Sequence, residues 1–393
     1  MAHGRVVTTA GHLRRREPDL DHRIVGIVCG TRPEIIKLAP VYHALRHEPG
    51  VCVLWVHTGQ HGDMAEGMLR CFGIEPDVRL TRKGASLEAF SLECRAQLDA
   101  LMSERRWDLC IVQGDTESAF LGALSAFYRR VAVAHVEAGL RTYNLERPFP
   151  EEGLRQMISR LACMHFAPTE RARSALLREG IEPEKILLTG NTVVDAQQWV
   201  SERHGIRPEG DPRRGHILVT SHRREHWGRE MEDIFHAIAD IARAHPEQRV
   251  LFPVHLNPVV QGPAHSILQG VTNVKLVAPL DYLEMQQALA GASLLLTDSG
   301  GLQEEAPTFG VPTLVLRRET ERPEAVEAGC ARIVGPDREA IVAAVERLLA
   351  HDDEAAAMRH VANPFGDGTA ARRITQAVLA RLAPVVEEAA VAA

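Results

Sequence analysis

Short apolar runs alternate along this chain with longer stretches in which apolar positions recur every three or four residues. The runs have the length of buried parallel strands and the stretches have the length of helices. Strands are predicted over 23–29, 51–57, 109–113, 131–136, 216–220, 250–254, 274–277 and 294–297. Strands separated by helices imply parallel sheets. The pattern restarts near residue 215, after the Gly-, Pro- and Arg-rich stretch 205–215. The prediction is therefore an α/β protein of two doubly wound, Rossmann-like domains, 21–192 and 193–367. They join near 190–199, with a site in the cleft between them. Residues 1–20 contain Arg14-Arg15-Arg16 but no apolar core, which predicts a disordered tail and not a signal peptide. A C-terminal helix over about 368–388 is expected to pack back on the N-terminal domain.

Polar residues gather just after the predicted strand ends, where open α/β sheets bind ligands. The sharpest case is Thr297-Asp298-Ser299-Gly300-Gly301, with a helical pattern starting at Leu302. A strand, a glycine turn and a helix N-terminus suit a phosphate, because the backbone can approach closely and free N–H groups face the anion. An ordinary strand-to-helix turn has the same appearance. Gln303, Glu304 and Glu305 are expected in the first turn of that helix, where a carboxylate could take ribose hydroxyls. Near the N-terminus, Gly30-Thr31-Arg32-Pro33-Glu34 turns a strand into a helix, with Thr31 or Arg32 near the cap and Pro33 suited to its start.

Composition narrows the chemistry. The 393 residues carry a net charge of −7, which gives no reason to expect a nucleic-acid surface. Lys37, Lys83, Lys185 and Lys275 are the only lysines, so a lysine within a motif stands out. The seven cysteines include no C-x-x-C pair, and no apolar run is long enough to span a bilayer. Neither metal nor disulfide framework is signalled, and the chain reads as cytoplasmic.

Among the ionisable residues, Asp115 lies in a Gly-Asp-Thr turn that could also be a plain helix cap. Glu137 follows a strand; a partly buried carboxylate there suits proton transfer, and the bland alternative is a pair with Arg141. Glu151 and Glu152 follow Pro150 at a helix start, where one of the two could serve only the helix dipole. His222 follows a strand and is backed by Arg223 and Arg224, which suits an anionic ligand. Arg32 and Lys37 share the first helix, and could be a solvated basic face.

Taken together, these motifs resemble the non-hydrolysing UDP-N-acetylglucosamine 2-epimerases over about residues 23–380. The resemblance rests on Gly30 to Glu34 with Lys37, Thr58-Gly59-Gln60-His61, Gly114-Asp115-Thr116, and His135 to Arg141. It continues through Pro148 to Glu152 with Arg155, Thr189 to Thr192, His222 to Glu225, Asp298 to Pro307 and Thr320 to Glu324. It implies a glycosyltransferase-B-like fold and a reaction needing neither NAD nor metal. UDP leaves UDP-GlcNAc to give a 2-acetamidoglucal and adds back with C2 inverted, as in UDP-ManNAc. By resemblance, Asp115, Glu137, Glu151 and His222 are catalytic. Arg32, Lys37, His222, Ser299, Gly300, Gly301, Glu305 and Arg322 hold the substrate, with Ser299 and Gly300 on the diphosphate and Glu305 on the ribose. Gln60 and Arg223 match positions at which some bacterial members bind a second UDP-GlcNAc as activator; Asp63 departs from the usual amide or glutamate there. A homodimer is the expected assembly.

The chain departs from the family in the run Thr142 to Arg147, at Leu154 and His226 where asparagine is usual, and at Glu117 where a small hydroxyl residue is common. These positions border the expected sugar site, so weaker turnover or a related UDP-aminosugar is anticipated. A hydrolysing epimerase, a UDP-sugar glycosyltransferase of the same fold and a non-catalytic UDP-sugar sensor are the competing readings. The paired acids Glu137 and Glu151 argue against the transferase, and retention of all four matched catalytic positions argues against the sensor.

Overall fold

The structure, a computed structural model, describes residues 22–383 except 85 and 209, and only the backbone at 63, 64 and 212. The expected tail over 1–20 and the last residues of the expected C-terminal helix lie outside the described residues. Among the described residues, thirteen strands form two all-parallel sheets. The first contains β1 (Arg23–Cys29), β2 (Val51–His57), β3 (Val78–Arg79), β4 (Leu109–Gln113), β5 (Ala132–Val136), β6 (Met164–Ala167) and β7 (Ile186–Leu188), in the order β3-β2-β1-β4-β5-β6-β7. The second contains β8 (His216–Thr220), β9 (Val250–Pro253), β10 (Val274–Val277), β11 (Ala292–Thr297), β12 (Thr313–Val315) and β13 (Ala331–Ile333), in the order β10-β9-β8-β11-β12-β13. In both, the order reverses beside the first strand, at β1/β4 and at β8/β11. This opens a crevice at the strand C-termini, the place where such sheets take ligands.

Side-chain alternation explains the layering. Val25, Ile27 and Cys29 of β1 point to one face, into a core shared with Ile35 and Leu38 of the Arg32–Leu45 helix. Val28 points to the other, against Phe90, Leu98 and Val112. Gly26 also faces that side, where a Cβ would lie 2.0 Å from the Trp107 ring. In the second sheet, Leu294 and Leu296 pack with Ile234, Phe235 and Ile238, while Leu295 and Leu218 pack with Leu289 and Leu302. Each fully buried aliphatic or aromatic side chain contributes about 1.5–3 kcal/mol.

The Thr192–His204 helix follows β7 and precedes β8, so it carries the chain from one sheet to the other. Its Asp195 accepts the N–H groups of Ala370 and Ala371 at 3.2 and 2.8 Å, capping the Ala370–Leu382 helix. That helix buries Ile374 and Val378 in the core containing Ile35 and Trp55. No helix of the described residues is long and apolar enough to cross a membrane.

Candidate active site

The first helix begins as the Gly30–Glu34 motif suggests, with Thr31 as its N-cap and Pro33 in the first turn. The Glu34 carboxylate folds back to accept the N–H groups of Gly30 and Thr31 at 3.0 and 2.8 Å, and the Thr116 hydroxyl at 2.7 Å. Burial pushes its pKa up to about 7 against these bonds. Gly30 is required by space: a Cβ would sit 1.9 Å from Thr58 Oγ1 and 2.5 Å from Ser118 Oγ. The β1 and β4 turns are thereby locked together at the crevice.

Lys37, one turn further on, is buried and is no solvated face. Its ammonium lies 2.5 Å from Glu137 Oε1 and 3.3 Å from Glu304 Oε2. Burial works against this charge, but the two carboxylates outweigh it and its pKa is raised. Glu137 takes its second hydrogen bond from the Gln113 amide. Its backbone is left-handed, with φ of 61°, a conformation unusual for a residue other than glycine. Arg141 is not its partner. That guanidinium binds Glu179 at 2.7 and 2.9 Å and the Ser159 hydroxyl at 2.7 Å.

Asp115 follows Gly114, whose φ of 70° makes the turn out of β4; the Gly114 Cβ position is 3.7 Å from Glu137 Oε2. The β4 turn that carries Asp115 thus runs beside the Glu137 carboxylate. The Gly114 carbonyl accepts from Nε2 of His135, a fully buried imidazole whose pKa burial lowers to about 3, so it is a neutral strut. Asp115 is held by Arg155, which also reaches Glu152 at 3.3 Å.

The ambiguity between Glu151 and Glu152 is resolved by burial. Glu152 is completely buried and accepts the N–H groups of Thr142 and Tyr143 at 2.9 and 3.0 Å and the Gln156 amide at 2.7 Å. It holds the loop. Glu151, on the same Glu151–Leu161 helix, is half-buried, and its carboxylate has no ion-pair or hydrogen-bond partner among the described residues. Of the two acids, it is the one not committed to the loop. Of the family departures, Leu154 is buried, Tyr143 is 54% exposed, and Glu117 takes the Ser91 hydroxyl at 2.5 Å.

On the second sheet, β11 runs into Asp298 and the Ser299–Gly300 turn. The helix there starts at Gly300, two residues earlier than expected, and ends at Glu305. Glu304 and Glu305 are therefore at its end, not in its first turn, and do not serve its N-terminal dipole. At Gly300, a Cβ would stand 3.9 Å from Arg223 Nη2 and 3.9 Å from Arg322 Cζ. Two guanidinium groups thus flank the turn expected to take a diphosphate. Arg223, from the segment after β8, stands beside this turn, whereas Gln60 accepts from the Ser118 N–H and hydroxyl at 3.0 and 2.6 Å on the first sheet. The side chain of Asp63, the third residue of that expectation, lies outside the described part of the structure. Gly301 is exposed, and Arg32 is partly exposed at the start of its helix.

Asp298 is completely buried and orients His222. It accepts the backbone N–H groups of His222 and Arg223 at 2.7 and 2.9 Å, and its Oδ1 lies 3.1 Å from His222 Nδ1. His226 Nδ1 lies 3.5 Å from its other oxygen. Burial opposes this charge, yet the two imidazoles and the Arg223 N–H hold its pKa far below the carboxylate range. Its Nδ1 turned to Asp298, the His222 ring stacks on His255 at 5.8 Å.

Glu304 is buried between Arg322 and Lys37. Glu305 is buried beside it and accepts the Gln286 amide at 2.6 Å; burial pushes its pKa up to about 7. A continuous chain of charge, Glu137–Lys37–Glu304–Arg322, therefore joins the two sheets at their strand ends. Asp298, Glu304 and Gln113 were not among the expected site residues, although Glu304 was placed with Gln303 and Glu305 in the first turn of its helix. The first two stand inside the Asp298–Pro307 motif, which is the signal that could have marked them; Gln113 ends a strand with nothing to distinguish it.

The family profile described as UDP-N-acetylglucosamine 2-epimerase matches residues 43–379. The UDP-N-acetylglucosamine 2-epimerase of Escherichia coli K12 is 45% identical over 368 residues, covering 89% of this chain and 97% of that protein. The Bacillus subtilis 168 protein of the same name is 42% identical over 356 residues, covering 90% and 94%. Among solved structures, the Neisseria meningitidis UDP-GlcNAc 2-epimerase bound to UDP-GlcNAc superposes with a TM-score of 0.83 at 37% identity, covering 91% of this chain and all of that one (100%). The two parallel sheets thus have the glycosyltransferase-B-like arrangement of these enzymes. The chain belongs to the UDP-N-acetylglucosamine 2-epimerase family.

Proposed function

We propose that this protein interconverts UDP-GlcNAc and UDP-ManNAc by elimination and re-addition of UDP. One observation carries the reading: the lysine that pairs with Glu137 is the lysine that reaches Glu304 and, through it, Arg322 beside the Gly300 turn. In the substrate, the proton to be removed is on C2 and the diphosphate leaves from the adjacent C1. A base and a leaving-group site must then be neighbours, and this chain of charge makes them so.

The steps balance without a redox partner. A carboxylate takes the C2 proton, the C–H electrons form the C1–C2 double bond, and the C1–O bond breaks to release UDP. The Ser299–Gly300 turn, Gly301, Arg322, Arg32 and His222 take up the charge of the departing diphosphate, and Glu305 takes the ribose. UDP then re-forms the C1–O bond while a proton reaches C2 from the other face. Glu137 and Glu151 are the proton-transfer pair, and Asp115, held by Arg155, supports the sugar side. The site lies between residues 21–192 and 193–367, and the family resemblance supports a cytoplasmic homodimer.

The direct test is to incubate the protein with UDP-GlcNAc and follow the anomeric proton by NMR. A second anomeric signal at equilibrium, UDP-ManNAc, is expected. Free ManNAc in place of it would identify a hydrolysing enzyme, and no change without an added acceptor would favour a transferase.

A further inference from the structure

Glu304 has no role in the steps above, yet it is buried at the point where the two halves of the site meet. Its side chain is 2% exposed and lies between two cations from different sheets. Arg322 comes from the loop after β12, and Lys37 from the helix after β1. Lys37 is in turn the cation of Glu137. Resting on the epimerase reading, we propose that Glu304 is a positioning residue that divides the positive charge of the site. It holds back part of Arg322 from the diphosphate and part of Lys37 from Glu137, which leaves the Glu137 carboxylate free to take the C2 proton.

The reasoning is electrostatic. Without the Glu304 charge, both cations are freer. Arg322 then attracts the diphosphate more strongly, so nucleotide affinity rises. Lys37, for its part, then belongs wholly to Glu137, whose carboxylate is held more tightly in the pair and is less free to take the C2 proton. Binding and turnover are thus predicted to move in opposite directions, a pattern that loss of packing does not produce.

The test is Glu304→Gln in the full-length enzyme, with UDP affinity from calorimetry and kcat on UDP-GlcNAc from NMR. UDP should bind about three- to tenfold more tightly, and kcat should fall about tenfold. Glu304→Asp retains charge beside Arg322 but falls short of Lys37; UDP affinity near that of the unmodified enzyme and an intermediate kcat are expected. As a control, Glu321 lies 3.9 Å from Arg322 but is partly exposed and makes no contact with Lys37. Glu321→Gln should leave kcat unchanged. UDP binding that is unchanged or weaker in Glu304→Gln overturns the proposal, as does an undiminished kcat. If the unmodified enzyme binds UDP but does not turn over UDP-GlcNAc, the epimerase reading fails instead, and the UDP shift alone then decides whether Glu304 divides the charge.

Discussion

Replacing Glu137 with glutamine is expected to lower turnover of UDP-GlcNAc by about 10²–10⁴-fold while UDP binding survives, because the amide keeps the shape but cannot accept the proton. The Gln113 amide and the Lys37 ammonium both donate to this carboxylate. An amide can satisfy one of them through its oxygen but not both, and Lys37 retains Glu304. Glu151→Gln should lose turnover over the same range with no change in stability, since that carboxylate has no partner to lose. Steady-state kinetics and UDP calorimetry on both variants are the check. Turnover within tenfold of the unmodified enzyme for either variant would remove that residue from proton transfer.

The largest stability effect is expected at the neighbouring acid. Glu152→Ala removes a buried carboxylate that satisfies two backbone N–H groups and the Gln156 amide, and takes from the buried Arg155 guanidinium one of its two carboxylate partners. Breaking a buried pair from one side typically costs about 3–5 kcal/mol. Turnover should fall as well, because Arg155 also holds Asp115. Burial alone would raise the Glu152 pKa, but the hydrogen bonds from Thr142, Gln156 and Tyr143 bring it below its ordinary value of 4.5. A depressed carboxylate contributes stability that is fully present above the unfolded pKa and is lost as pH falls through the folded one. Denaturant titrations at pH 7 and below 4 should therefore show the gap between the two proteins narrowing with acid. A gap that is small at pH 7, or that widens with acid, would contradict this role.

How much of this was legible in the sequence depends on length and distance. The predicted strands of five to seven residues stand within a residue of where they were expected and the four-residue β10 matches too, whereas β11 begins at Ala292, two residues before the expected 294. Strands β3, β6, β7, β12 and β13, of two to four residues, went unread because so short a run has no periodicity to detect. The turn motifs were visible because glycine and charge mark them locally. Partners were not. Lys37 and Glu304 are far apart in sequence, and nothing in either segment predicts that they meet. The choice between Glu151 and Glu152 likewise rests on which carboxylate the 142–143 backbone claims, a property of the folded loop. The early start of the Gly300 helix was hidden by its two glycines, which local propensity reads as turn.

Running the reaction in deuterium oxide tests the central claim most directly. Elimination removes the C2 proton to a carboxylate that exchanges with water, and the returning proton comes from that pool. UDP-ManNAc formed in deuterium oxide should carry deuterium at C2, seen as loss of the C2 proton signal and collapse of its coupling to the anomeric proton. Long incubation should also release some UDP with 2-acetamidoglucal, because no covalent bond retains the intermediate. Epimerised product that retains the original proton at C2 would contradict proton transfer through Glu137 and Glu151.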